Sequence, residues 1–323
     1  MSELSVVITD CDHDGIEPEL RVLGEAGIDV RLEDCSSSAD VAAAARDADA
    51  VITQYAPIDD QALEALRRCR AVVRYGVGVD NVDVPAATRR GVWVVNVPDY
   101  GTEEVADHAL ALLLASLRGI PRLDRGVHAG EWELETVRPL RRLSGLTVGV
   151  VGCGRIGGTF ARKALGVGLG VVGHDPAGLP PGLAAAGVRE LGFEALLEAS
   201  DAVSLHAPLS ERTRHLIDAD ALRRMRPGAH LINTARGGLV DHAALLAAID
   251  EGRLAGAALD VLEPEPPEAG DPLTAHPRVL LTPHAAWYSE ESYETLKTEA
   301  AREAVRVLSG EPPRSPVNQP EEA

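Results

Sequence analysis

Three short segments of the chain carry residue types suited to moving a proton beside an anionic carbonyl compound. They are Asn233-Thr234-Ala235-Arg236-Gly237-Gly238, Ala258 to Pro266, and Leu280-Leu281-Thr282-Pro283-His284. A guanidinium binds a carboxylate and polarises a neighbouring carbonyl. A histidine is the natural proton donor near neutral pH. A carboxylate beside that histidine favours the imidazolium and holds the ring in place. Arg236, Glu265 and His284 have the types for those three roles. Each also has a plainer reading. Arg236 could be a surface residue after a strand. Glu265 could be a solvated acid in a Pro-rich loop, with Glu263 as its rival. His284 could be a satisfied core histidine. The chemical reading gains weight because each segment ends a candidate strand, where open parallel sheets bind ligands.

A fourth segment points to a dinucleotide. Leu146 to Val151 is a continuous apolar run leading into Gly152-Cys153-Gly154-Arg155-Ile156-Gly157, and Thr159 to Leu165 then reads as helix. A strand before and a helix after are the context this glycine pattern requires. Gly152 allows the tight turn, Gly154 the approach of a pyrophosphate, and Gly157 close helix–strand packing. The phosphates would sit on the helix N-terminus. Asp175 ends the next strand, Gly170 to His174. A carboxylate there accepts from the adenosine ribose hydroxyls and repels a 2′-phosphate. Pro176, Ala177 and Gly178 follow with no basic residue, so NAD is expected rather than NADP.

The elements that must position these residues alternate strand and helix. Strands are expected at Leu4–Thr9, Val30–Leu32, Ala50–Thr53, Ala71–Arg74 and Val92–Asn96. Helices are expected near Glu17–Ala26, Val41–Asp47, Leu63–Cys69 and Pro85–Arg90. Such alternation implies a parallel sheet with helices on both faces. Thr102 opens a long apolar helix to about Ile120, and a loop is expected from Gly119 to Ser144. A second alternation runs from Leu146 to about His284. Glu290–Leu308 reads as a helix with Glu, Lys and Arg on its outer face, followed by an extended Pro-rich tail. The fold class is therefore α/β, with two doubly wound parallel-sheet domains, the second inserted before the closing helix of the first.

Composition sets limits. The net charge of -19 opposes nucleic acid and anionic membranes. An anionic substrate then needs a local basic site. Cys11, Cys35, Cys69 and Cys153 have no CxxC spacing, which reads as a reducing, cytoplasmic protein with no metal site. The first residues lack a basic n-region, and the Val105–Leu117 stripe contains Asp107 and His108, so neither a signal peptide nor a membrane span is expected.

The chain resembles the D-isomer-specific 2-hydroxyacid dehydrogenase family from end to end. The resemblance rests on Gly76-Val77-Gly78-Val79-Asp80-Asn81-Val82-Asp83, GCGRIG, NTARGGLVD, ALDVLEPEP and TPHAAW. His284-Ala285-Ala286-Trp287-Tyr288-Ser289-Glu290 is most similar to the C-terminal-binding-protein branch. Phosphoglycerate dehydrogenases usually carry Gly and then Ser or Thr after the His, which counts against that substrate. The resemblance implies a flavodoxin-like substrate domain (residues 1–101 and 292–323) and an inserted Rossmann NAD domain (102–291). It implies a D-2-hydroxyacid dehydrogenase, or 2-oxo acid reductase, that uses NAD(H) on a small anionic acid. It makes Arg236, Glu265 and His284 catalytic, and gives the Val77 and Gly78 backbone the substrate carboxylate. Asp260 would contact the nicotinamide carboxamide. Thr102, Arg155, Ile156, His206, Thr213, Thr234 and Ala235 match cofactor-lining positions. The family is usually dimeric through its NAD domains, so a homodimer is expected. Arg74 matches an Arg that can face the substrate, and Tyr100 is a further lining candidate. Trp287 is either a pocket wall or ordinary packing at a helix start. A competing reading, from the same branch, is an NAD(H)-sensing corepressor-like module with little turnover. A formate- or phosphite-type oxidation is a third, disfavoured by the retained Glu and His.

Overall fold

Short Val-, Ile- and Ala-rich runs bounded by turns become strands, and helical crossovers make every ladder between the described strands parallel. The computed structural model describes residues 4–11 and 15–320. The chain divides into one unit of Met1–Gly101 with Ser289–Ala323, and a second of Thr102–Tyr288.

In the first unit, β1 (Ser5–Ile8), β2 (Asp29–Leu32), β3 (Ala50–Thr53), β4 (Ala71–Arg74) and β5 (Trp93–Val95) stand in the order β2-β1-β3-β4-β5. That is the flavodoxin-like order. Central β3 is buried at every position, whereas edge strand β2 is largely exposed. The helices are α1 (Glu17–Glu25), α2 (Ser38–Ala44), α3 (Asp60–Ala65) and α4 (Val84–Arg89). Both α2 and α3 begin earlier than apolar periodicity predicts. Their starts are set by caps: Ser37 with Asp40 forms a capping box, and Asp59 accepts from the Ala62 amide.

The second unit opens with α5 (Thr102–Arg118) and α6 (Ile120–His128). The latter corrects the loop expected over Gly119–Ser144. Gly119 and Pro121 read as breakers, but Gly119 takes the left-handed N-cap and Pro121 fits the first turn. The strands are β6 (Thr147–Val151), β7 (Gly170–His174), β8 (Arg189–Glu190), β9 (Ala202–Leu205), β10 (Ala229–Asn233), β11 (Leu254–Leu259) and β12 (Val279–Leu281). Between them run α7 (Arg155–Gly166), α8 (Pro181–Ala186), α9 (Phe193–Ala199), α10 (Ala219–Arg224), α11 (His242–Asp250) and α12 (Pro272–Ala275). The sheet order is β12-β11-β10-β9-β6-β7-β8, the doubly wound Rossmann order extended by one strand. One core joins Leu196, Leu222, Leu245 and Ile249 to one face, and another joins Leu113, Phe160 and Leu183 to the other. Strand order reverses between β6 and β9, which is where this fold opens a ligand crevice.

The chain returns to the first unit through α13 (Glu290–Leu308), started by a Ser289–Ser292 capping box. The expected outward face of its charges needs correction. Lys297 is fully buried, with Nζ 2.9 Å from Oε1 of the equally buried Glu19 on α1. The tail expected to be extended runs past residue 320, and residues 321–323 lie outside those described. Among the described residues no helix is long and apolar enough to cross a membrane.

Candidate active site

The glycine loop follows β6 at the reversal of strand order. Gly152 has φ +87°, and a Cβ there would lie 2.7 Å from the His206 backbone. A Cβ at Gly157 would collide with the Gly152 carbonyl oxygen. The first of these positions needs the left-handed region, and the second admits no side chain. Gly154 differs: it is the N-cap of α7, no side chain caps it, and an added Cβ meets nothing within 4 Å. This helix starts at Arg155 rather than near Thr159, so its first turn belongs to the loop. An open, uncapped helix start is a site for a phosphate.

Asp175 is fixed beside that loop. Its carboxylate accepts from the Cys153 amide at 2.8 Å and the Ala177 amide at 2.9 Å, leaving lone pairs on both oxygens for ribose hydroxyls. Thr102 Oγ1, Thr234 Oγ1 and His206 Nδ1 are buried without a hydrogen-bond partner. Such atoms call for a polar partner from outside the chain. The open Gly154, the anchored Asp175 and these orphaned atoms together fit a dinucleotide. Burial pushes His206 down to about 3, so its imidazole is neutral at physiological pH. Thr213 is a weaker fit, because its hydroxyl is engaged by its own turn, with Pro208 O and the Ser210 amide.

The catalytic candidates gather within the second unit. His284 Nδ1 lies 2.7 Å from Glu265 Oε2, and Glu265 Oε1 accepts from the Leu262 amide at 2.7 Å. Burial pushes the Glu265 carboxyl up. The His284 hydrogen bond and charge, the Leu262 amide and the Arg236 charge outweigh it and hold the carboxyl below its ordinary value. Asn233 clamps the Arg236 turn, accepting from the Ala235 amide and donating to the Arg236 carbonyl at 2.8 Å. Glu263, the sequence rival of Glu265, is held elsewhere by a two-pronged Arg214 contact at 2.8 and 3.1 Å.

Asp260 has a role the motif did not reveal. Its nearly buried carboxylate accepts from Thr282 Oγ1 at 2.5 Å and from the Ala285 and Ala286 amides at 2.9 and 3.0 Å. Its carbonyl accepts from the His284 amide at 2.8 Å. The residue therefore ties down the loop that carries His284. His108 on α5, which sequence reasoning treated only as a polar interruption, reaches the same group: its Nε2 is 3.0 Å from Thr282 Oγ1.

In the first unit, the Gly76–Gly78 turn follows β4. A Cβ on Gly76 would strike Arg74 Nη1 and lie 3.4 Å from the Tyr100 hydroxyl, so both side chains flank this turn. Val77 is exposed, and its carbonyl accepts from Asn96 at 2.7 Å. Half-buried Trp287, in the second unit, packs edge-on against Tyr288 with ring centroids 5.6 Å apart. A cavity of about 810 Å³ opens elsewhere, beside Arg122, Arg125, His230 and Arg278. It lies at the N-terminal ends of β10, β11 and β12, whereas the groups above cluster at C-terminal ends. The chemistry follows the side chains, so this cavity is not the candidate reaction site.

Residues 110–286 match the family model described as "D-isomer specific 2-hydroxyacid dehydrogenase, NAD binding domain". The chain belongs to this family. It is an NAD(H)-dependent oxidoreductase acting on the CH–OH group of a 2-hydroxy acid. As a member of the D-isomer-specific 2-hydroxyacid dehydrogenases it is 42% identical over 279 residues to a glyoxylate reductase of Korarchaeum cryptofilum, covering 85% of this chain and 84% of the relative. It is 38% identical over 270 residues to a D-3-phosphoglycerate dehydrogenase of Archaeoglobus fulgidus, covering 84% of this chain. The match spans 51% of that longer relative. The crystal structure of a D-lactate dehydrogenase from Aquifex aeolicus, complexed with NAD and lactic acid, superposes with a TM-score of 0.90 at 26% identity, over 98% of this chain and 100% of that one.

Proposed function

We propose that the chain interconverts a small 2-oxo acid and its D-2-hydroxy acid, with His284 as the acid/base. The observation that carries this reading is the 2.7 Å contact between His284 Nδ1 and Glu265. An ionised carboxylate only accepts, so Nδ1 keeps its hydrogen, and Nε2 is left to exchange a proton with the C2 oxygen. Arg236 binds the substrate carboxylate and polarises the C2 carbonyl. Glu265 stabilises the imidazolium and fixes the ring. When bound, the nicotinamide supplies or accepts the hydride at C2. Thr102, Gly152, Gly154, Arg155, Ile156, Gly157, Asp175, His206, Thr234, Ala235 and Asp260 line the cofactor, with Thr213 as an outer contact. Arg74, the Val77 and Gly78 backbone, Tyr100 and Trp287 recognise the substrate. The unit of residues 1–101 and the C-terminal segment is the substrate domain, and the inserted unit is the NAD domain.

We propose the C-terminal-binding-protein branch as its placement, on the Ala285-Ala286-Trp287-Tyr288 stretch. The intact Arg, Glu and His set favours turnover over a pure binding module. We place the enzyme in the cytoplasm on its four scattered cysteines, which have no CxxC spacing. We propose a homodimer through the segment around α6, which exposes Ile120, Val127, Trp132 and Leu134, with Trp132 at 88%.

Purified protein with NADH and a panel of 2-oxo acids tests the reading. The panel includes glyoxylate, pyruvate, hydroxypyruvate, and hydrophobic, thioether, phosphorylated and phosphonate acids. At least one acid is expected to oxidise NADH. His284→Ala is expected to lower kcat by roughly 10²–10⁴-fold with NADH affinity retained. Tight NADH binding with no turnover on any acid would favour the sensing module instead.

A further inference from the structure

We propose that His108 is a positioning residue for His284, acting through Thr282 and Asp260. The inference rests on the reading of His284 as the acid/base. It begins with backbone strain. His284 has φ +52°, in the left-handed region that a non-glycine residue occupies at a cost. A residue in that conformation stays there only if its surroundings hold it.

The hold is a chain of hydrogen bonds. The His284 amide donates to the carbonyls of Asp260 and Thr282 at 2.8 and 3.1 Å. The next two amides, Ala285 and Ala286, each donate to one oxygen of the Asp260 carboxylate. Thr282 Oγ1 donates to the same Oδ1 that receives Ala285. A threonine hydroxyl has one proton, and here it is given to Asp260. The 3.0 Å contact between Thr282 Oγ1 and His108 Nε2 must then be donated by the histidine. His108 Nε2 also lies 3.7 Å from Asp260 Oδ1, so its N–H dipole favours the carboxylate's charge.

Two consequences follow. First, the tautomer of His108 is set: Nε2 carries a hydrogen. Second, the chain ends on a firm support. α5 buries Ala106, Ala109, Leu112 and Leu113 in the core, on either side of His108. Its side chain retains 27% exposure while the Asp260 side chain has 1%. The buried acid is thus the hub, and His108 is the strut between hub and helix. Remove the strut, and Thr282 gains freedom to turn its hydroxyl away from Asp260. The left-handed turn then loosens, and His284 drifts from its contact with Glu265.

The test compares His108→Ala, His108→Gln, Thr282→Val and the double variant H108A/T282V in the full chain. His108→Ala and Thr282→Val are each expected to lower kcat about 10-fold with unchanged NADH affinity, as misplacement of a reacting group does. Gln retains an N–H donor, so His108→Gln is expected to recover most of the rate. The double variant should be no slower than either single, because both cut one chain. A readout independent of turnover is amide hydrogen exchange. Ala285 and Ala286 are expected to exchange about 10-fold faster in His108→Ala and at the native rate in His108→Gln. Native kcat and native exchange in His108→Ala overturn the proposal. So does a His108→Gln variant as slow as His108→Ala, or an additive double variant. His284→Ala, run alongside, separates the two readings. If it keeps its kcat, the acid/base assignment fails. If it loses kcat while His108→Ala does not, only the positioning role fails.

Discussion

Each unit ties a turn that bears proposed site residues to a buried carboxylate, but the two carboxylates are satisfied differently. In the first unit, Tyr75 leads into the Gly76–Gly78 turn and donates its hydroxyl to Glu19, which is paired with Lys297 at 2.9 Å. Both ions are removed from water, and Glu19 Oε2 has no hydrogen-bond partner. In the second unit, Asp260 is surrounded by neutral donors, a hydroxyl and two amides. An ion pair of the first kind costs a great deal to desolvate, and breaking it strands a buried charge. A carboxylate of the second kind is matched by groups already fixed in the backbone. The sequence distances differ as well. Glu19 and Lys297 join α1 to α13, whose chain segments are separated by the entire inserted unit. Asp260 joins the end of β11 to the turn after β12, its neighbour in the sheet. The first is a clasp that holds a fold together, and the second is an aligner that holds a side chain still.

The largest effect expected from this contrast is on stability. Lys297→Met should cost about 3–5 kcal/mol, because it leaves Glu19 charged and unpaired in the core. Urea unfolding should show the loss as a lower midpoint, while kcat of the remaining folded protein changes little. The double variant Glu19→Leu/Lys297→Met should recover most of the loss, since it removes both ions. A Lys297→Met protein with the native midpoint would break the clasp reading. Asp260→Asn should behave in the opposite way. It keeps the shape but places an amide N–H against one of three donors, so the turn must shift. The expected loss is roughly 10² in kcat, with a smaller drop in the urea midpoint than Lys297→Met. Equal midpoints for the two variants would erase the distinction.

The contrast also divides what could be read from sequence. The glycine loop, Arg236 and His284 are legible as candidates because each stands in a short string at the end of an apolar run. The two parallel sheets followed from alternation alone. Glu265 could not be told from Glu263 until Arg214, far back in the chain, was seen holding the latter. The sequence makes Lys297 look like a surface charge because its helix is charged all along, and its partner lies on α1. The breakers of α6 suggest a loop, but they sit at its start, where they do no harm. His108 looks like an interruption of an apolar stripe, since Thr282 approaches it only through the tertiary fold. What was missed in each case is a partner distant in sequence, or a local signal whose sign depends on position.

The smallest effect concerns acid, and it sharpens the comparison because the described histidines fall in one unit. Every histidine among the described residues lies in the second unit. Burial pushes His206 down to about 3, and burial with the Arg122 charge pushes His230 down to about 4. An unfolded histidine takes a proton near 6.5. Between that value and about 3 the unfolded state binds the proton and the folded His206 refuses it, so stability falls as pH falls through this window. Glu265 acts lower down. Its carboxyl sits below the ordinary 4.5, so its contribution is present above that value and lost only as pH falls through the depressed one. From pH 6.5 to 4.5 the decline therefore belongs to the buried histidines rather than to Glu265. His206 is half-buried as a residue, although its Nδ1 is sealed, so its share is less than one full proton. That limits it to under about 1.4 kcal/mol per pH unit. His206→Gln should flatten the fall of Tm across this range. A slope unaltered by His206→Gln would move the acid response away from this ring.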